Sequence, residues 1–319
     1  PVVVLDSLTV AANVADLADL VEDDRYAFVR GDIGDRDLLR RMFAEYGFDA
    51  VVNLAAESYV DRSITDPEIF VSTNVVGTQA LLDVARESWR LTPEDTKADA
   101  PEARYRDGVR FVQVSAAEVY GYLPPDDGFA ETAPPAPTTP YGASKAGADL
   151  LAQSYHHAFG LPVNIVRCSV NFGPHQFPEK LVPKVIDYWS TRRRIPVYGD
   201  GGQIRDWLYI DDTCRAIDAV LDRGVDGEIY NVGGDSEYTN LAVINAVLDR
   251  LGAPLEEAEH VRDRPGHPRR VVLNSGKIRS ELGWVPTHSL TDGIDATVTW
   301  YLANPGWLRR MATGAYREY

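Results

Sequence analysis

Sulfur is scarce in this chain, and what is missing narrows its possibilities before any motif does. Cys168 and Cys214 are the only cysteines among 319 residues, and nothing around them has the spacing of a metal site. They read as buried thiols rather than a disulfide, which points to a reducing cytoplasm. The six histidines are scattered, with no H-E-x-x-H and no Cys/His cluster, so no metal is expected. No apolar run is long enough to cross a bilayer, and no charged-then-apolar leader opens the chain, so no membrane partner is expected. Positive charge is in deficit: 32 Lys and Arg stand against 48 Asp and Glu, for a formal net charge of −16. That balance argues against nucleic acid as a partner. It also requires any phosphate site to be a local cationic pocket. Internal repeats and low-complexity tracts are absent too.

What is present is a globular composition, 45% hydrophobic and 25% charged. Apolar, β-branched runs at 1–5, 26–32, 49–54, 108–115 and 162–167 read as strands. Segments with helical spacing fall between them at 35–46, 74–87 and 141–159, with Asp35 placed to cap the first. Strands alternating with helices at this interval predict an α/β fold with a doubly wound parallel sheet. The charged, Pro-containing stretch 89–106 reads as a solvated loop or an insertion, and 199–202 as a turn.

The opening strand ends in Asp6. A dinucleotide fold puts an Asp there to accept the adenosine ribose hydroxyls, about 20 residues after a glycine-rich turn. Such an Asp would repel a 2′-phosphate and so favour NAD over NADP. The glycine-rich turn and its strand do not precede Asp6 here. In the usual order that strand is central, and its neighbours would keep unpaired edges, each buried unpaired group costing about 1–3 kcal/mol. The expectation is an upstream segment, or another occupant of the gap.

Tyr141 and Lys145 are the most informative pair. Four apart on a helix, they share a face, where an ammonium can bring a phenol toward a pKa useful near neutrality. Tyr and Lys at this spacing are common on helices for structural reasons. Here, however, an apolar strand with Val112 and Val114 runs into the turn Ser115-Ala116-Ala117-Glu118-Val119-Tyr120-Gly121. Further blocks follow the same order along the chain. They include Asn53-Leu54-Ala55-Ala56-Glu57-Ser58-Tyr59-Val60-Asp61-Arg62-Ser63 and Arg167-Cys168-Ser169-Val170-Asn171-Phe172-Gly173-Pro174. Phe177-Pro178-Glu179-Lys180-Leu181, Ile204-Arg205-Asp206-Trp207, Tyr230-Asn231-Val232-Gly233-Gly234 and Arg262-Asp263-Arg264-Pro265-Gly266-His267 complete the set. Together they resemble the extended short-chain dehydrogenase/reductase family and, within it, the dTDP-glucose 4,6-dehydratases.

That resemblance implies a Rossmann-type NAD domain over 1–169 and 206–232, and a smaller α/β sugar-nucleotide domain over 170–205 and 233–319. It implies NAD as cofactor, contacted by Asp6, Asp32, Ile33, Leu54, Ala55, Ala56, Tyr141 and Lys145. It implies a nucleotide-diphosphate sugar (dTDP- or UDP-hexose) held by Ser58, Arg62, Asn171, Glu179, Lys180, Leu181, Arg205, Asn231, Arg264 and His267. Lys180, Arg205 and Arg264 would supply the local positive field, although each alone also reads as a surface charge. A homodimer is implied as well, paired through the helices at 74–87 and 141–159, with Leu150, Leu151 and Tyr155 either extending an apolar stripe or packing onto the chain's own sheet.

The reaction implied has three stages. Tyr takes the C4 hydroxyl proton as hydride leaves, a Glu removes the C5 proton while an Asp protonates the C6 hydroxyl, and hydride returns to C6. Tyr141, Lys145 and Glu118 supply three of those roles. Ala116 and Ala117 stand where the family has a Thr and the Asp; Tyr59, Val170, Pro268 and Val271 also depart from its pattern. Three readings follow: a 4,6-dehydratase, a decarboxylase or epimerase that stops short of C6 elimination, or a catalytically impaired nucleotide-sugar-binding paralogue.

Overall fold

The structure is a computed structural model that describes residues 1–9, 13–92, 104–121, 128–255 and 258–313. Parallel strands β1 (Val2–Asp6) and β2 (Tyr26–Arg30) pair in register from Val2 with Tyr26 to Asp6 with Arg30. A second parallel set runs β3 (Ala50–Asn53), β4 (Arg110–Ala116), β5 (Val163–Cys168) and β9 (Ile229–Val232), in that order. No strand among the described residues pairs with the second edge of β1 or of β3, and Val2 and Leu54 are 64% and 63% exposed. The expected central strand therefore has no counterpart among the described residues.

Alternation along β4 and β5 builds two cores from one sheet. Phe111 and Ile165 face one side with Leu39, Leu82 and Trp89. Val112 and Val166 face the other with Val220, Tyr230 and Ile278. Helices thus cover both faces of a parallel sheet, which is the doubly wound arrangement.

The remaining strands form a separate assembly. β8 (Ile204–Tyr209) pairs with β6 (Val170–Phe172), β10 (Glu237–Thr239) and β12 (Arg270–Val271), while β7 (Ile195–Tyr198) pairs with β11 (Ala258–Val261). Its core gathers Phe172, Val185, Ile186, Trp207, Val247 and Val298. The division expected at 206 falls inside β8, all of whose partners belong to this second assembly.

The helix expected over 74–87 differs in its first half. A π-helical stretch, Val71–Gly77, precedes the α-helix Thr78–Trp89. Asn74 lies within it, and its amide donates to the Glu57 carbonyl (3.0 Å) and the Ser144 hydroxyl (2.8 Å). Trp89 is not solvated as expected but fully buried, its indole N–H donating to the Phe48 carbonyl at 2.7 Å.

Candidate active site

The carboxyl ends of β3, β4 and β5 open onto a cleft of about 350 Å³. There β4 runs into the turn Ala117–Tyr120, and Glu118 faces the cleft beside Ala116. Tyr141 enters from the start of the helix Pro140–Phe159. Thr139 caps that helix by accepting from the Gly142 amide (3.1 Å), with Pro140 at its first position. Gly142 lets the two pieces close up: a Cβ there would lie 2.8 Å from the Glu118 carbonyl oxygen. At Gly121 the backbone has φ 71°, and a Cβ would strike the Ala136 carbonyl.

Burial, and then the neighbouring Glu118 carboxylate, push the Tyr141 phenol above its ordinary range. The lowering expected from Lys145 is not found. Lys145 is itself buried, its ammonium donates to the Val114 carbonyl at 2.7 Å, and burial pushes it down. Ala117 is 1% exposed and packs with Val119, Tyr120, Phe129 and Leu273. Ala116 lines the cleft, as do Val170 and Pro268, while Val271 is core.

The lining of the cleft also carries cations. Arg205, only 7% exposed, donates to the Ile204 carbonyl at 2.7 Å and has no carboxylate within ion-pair distance among the described residues. Lys180 reaches the Ser58 carbonyl at 2.8 Å and lies 3.4 Å from Glu179. Burial raises the Glu179 carboxyl. Arg264 lies 3.1 Å from Asp61 and over the Tyr198 ring at 4.7 Å; His267 contacts Asp263 at 2.7 Å. Burial lowers the His267 imidazole, against the pull of Asp263.

The cleft therefore collects Ser58, Glu118, Tyr141, Asn171, Glu179, Lys180, Leu181, Arg205, Arg264 and His267. It does not collect Arg62, which pairs with Glu57 and Asp66. Nor does it collect Asn231, which is fully buried; its amide donates to the Phe129 carbonyl and accepts from the Tyr120 hydroxyl, both at 2.8 Å. Sequence reasoning missed Lys184, half-buried in the cleft wall one turn beyond Lys180. Its only signal was that i, i+4 spacing.

The residues expected to hold a dinucleotide lie along neighbouring strand ends. Asp6 closes β1 and accepts from the Leu8 amide (2.7 Å); Asp32, just beyond β2, accepts from Gly34 (2.7 Å). Ala55 and Ala56 follow β3 half-buried, and Leu54 is exposed. Ile33 is 8% exposed and packs into the core with Leu39 and Phe43. Carboxylates at one end, small side chains in the middle and Tyr141 at the other fit an extended dinucleotide.

Comparison with known proteins agrees with this geometry. Residues 1–297 match the family described as GDP-mannose 4,6 dehydratase. A dTDP-glucose 4,6-dehydratase of Xanthomonas campestris pv. campestris is 47% identical over 325 residues, covering 99% of this chain and 90% of that protein. One from Salmonella typhimurium is 44% identical over 334 residues, covering 100% and 90%. Among solved structures, DesIV, a dTDP-glucose 4,6-dehydratase from Streptomyces venezuelae with NAD bound, superposes with a TM-score of 0.88. It is 44% identical, over 97% of this chain and 89% of that one. By sequence and by fold, the chain belongs to the GDP-mannose 4,6-dehydratase family.

Proposed function

We propose that this chain is an NAD-dependent nucleotide-sugar enzyme of the dTDP-glucose 4,6-dehydratase type. One observation carries the reading: a single cleft is lined by the phenol of Tyr141, the carboxylate of Glu118 and the buried guanidinium of Arg205, which has no carboxylate within ion-pair distance among the described residues. A nucleoside diphosphate satisfies the cations and leaves the hexose beside the phenol. Asp6 and Asp32 would hold the adenosine end of the cofactor, Ala55 and Ala56 would admit its pyrophosphate, and Tyr141 and Lys145 would border the nicotinamide. A cofactor held there would supply the hydride acceptor for oxidation at C4 and the donor for reduction at C6.

The chain's own residues move the protons. Tyr141 takes the C4 hydroxyl proton, and the adjacent Lys145 ammonium stabilises the phenolate once the sugar excludes water. Glu118 removes the C5 proton, made acidic by the C4 ketone. Protonation of the departing C6 hydroxyl has no carboxylic acid at 117, and Ala116 offers no hydroxyl to the C4 oxygen. The missing acid at Ala117 favours a second reading, a decarboxylase or epimerase that uses the 4-keto intermediate without C6 elimination, and the loss of both side chains a third, a catalytically impaired nucleotide-sugar-binding paralogue.

Residues 1–169 with 210–232 would form the NAD unit, the expected boundary at 206 moving past β8, and the rest the sugar-nucleotide unit. Val71, Val76 and Leu150, exposed on the helical segments flanking the site, support a homodimer. Two free thiols support a cytoplasmic location. The test is incubation of the protein and NAD with dTDP-glucose, UDP-glucose and UDP-glucuronate, followed by mass spectrometry. Loss of water supports dehydration, loss of carbon dioxide supports decarboxylation, and inversion without mass change supports epimerisation. No reaction with any of the three defeats the enzymatic reading.

A further inference from the structure

The helix that presents Tyr141 and Lys145 carries a third polar group on the same face. Asp149 lies one turn beyond Lys145 and is fully buried, while Lys145 is 4% and Arg167 1% exposed. Arg167 Nε donates to Asp149 Oδ2 at 2.8 Å, and its NH1 donates to the Tyr120 hydroxyl at 2.8 Å. The guanidinium also sits 4.7 Å over the Tyr120 ring, and Tyr120 in turn donates to Asn231. This chain of bonds fixes Asp149 yet leaves its Oδ1 uncommitted. The Ser115 hydroxyl lies beside the carboxylate without the alignment of a full hydrogen bond. Lys145 uses one of its three donors, on the carbonyl of Val114, the residue before Ser115.

We propose that Asp149 is a positioning residue: clamped by Arg167, it keeps the buried Lys145 ammonium charged and so sets the pH range over which Tyr141 exchanges a proton. The proposal rests on reading Tyr141 and Lys145 as the reacting pair. The groups that act on Lys145 are Asp149 from its own helix, Glu118 from the turn after β4, and Cys168 from β5, while Tyr141 lies one turn before it and Arg167 of β5 binds Asp149. Burial pushes Lys145 down, and Asp149 is the largest influence pushing back, ahead of Cys168 and Glu118. Cys168 is held neutral, its thiol pushed up to about 12 by burial. That leaves two anions. Glu118 borders the open cleft, where solvent weakens its field, whereas Asp149 acts through the dry interior. Burial raises Asp149 too, and the Arg167 guanidinium, whose only ion-pair partner among the described residues is Asp149, pulls it back toward the ionised form.

The chain has five lysines, so the Lys145 side chain can be followed by NMR in full-length protein grown with labelled lysine. The expected result is that Lys145 remains charged through pH 8. In Asp149→Asn its midpoint falls by at least about one unit, a tenfold loss of proton affinity, and Asp149→Glu restores most of the shift. In turnover, Asp149→Asn should move the pH profile by the same amount while leaving KM for the nucleotide sugar unchanged. Lys145 neutral at pH 7 in the wild-type protein overturns the proposal, and so does an unmoved midpoint in folded Asp149→Asn. Should that variant not fold, the wild-type titration alone decides. The titration uses no nucleotide sugar, so its failure is separate from failure of the proposed reaction.

Discussion

Arg205 holds a charge in a place that disfavours charge, with burial working against its protonated state. An ion left unpaired in the interior costs several kcal/mol, and a ligand phosphate offsets that cost. Arg205→Ala should therefore weaken dTDP binding by about 2 kcal/mol or more, read by calorimetric titration, while the melting temperature of the free protein holds or rises. Unchanged affinity would remove Arg205 from the site. Ala117 carries the complementary argument. Its apolar neighbours would keep an introduced carboxyl protonated at neutral pH, the state a general acid needs. Ala116→Thr with Ala117→Asp should raise dehydration at least about 10²-fold, at the expense of a lower melting temperature. Wild-type dehydration at about 1 per second or faster would show that another residue supplies the proton. Contiguous blocks made the cleft residues legible in the sequence. Asn231 was misread because a block fixes a residue's place on a strand and not which network its amide joins. Lys184 was missed because it lies one turn outside its block.

At the scale of elements, β1 to β5 were legible to within about two residues because their β-branched runs are bounded by polar punctuation, whereas β6 to β12, mostly of two to four residues, carried no such run and were not placed. The π-helical stretch Val71–Gly77 was not, since apolar periodicity does not register one extra residue per turn. Periodicity also lumped together Leu150, Leu151 and Tyr155. The structure separates them: Tyr155 is buried and Leu151 packs against the same core, while Leu150 is 54% exposed. Val71 and Val76, at 51% and 52%, are exposed on the preceding segment. Exposed apolar groups on two neighbouring helical segments suit pairing across a two-fold axis. Sedimentation at micromolar concentration should give a dimer, and Leu150→Glu a monomer that keeps its helical content. A wild-type monomer would sink the pairing scheme.

At the scale of the molecule, the carboxylates that burial perturbs titrate in opposite senses. Asp212 has no exposed side-chain surface and accepts from the Thr287 and His288 amides (3.1 and 3.0 Å) and from Arg215. These partners outweigh burial and hold it down to about 2 from an ordinary 3.8. Its stabilisation is complete above pH 3.8 and is lost between there and 2, amounting to about 2 kcal/mol. The bonds join the helix Ile210–Arg223, packed on the first sheet, to the segment leading into Leu290–Ala303 in the second core. Asp206 behaves oppositely. Burial outweighs the Gly234 and Ser236 amides and raises it to about 6, so the folded state binds its proton more tightly than the unfolded chain. That contribution is full below pH 3.8 and disappears as pH rises through 6. Acidification from 7 to 5 also relieves the self-repulsion of a chain at −16. Thermal stability should accordingly rise from pH 7 to about 5 and fall steeply below 3.8. Asp206→Asn should flatten the rise, and added salt at pH 7 should reproduce part of it by screening. Melting temperatures across this range decide the matter, and a steady decline from pH 7 to 4 would contradict the account of Asp206.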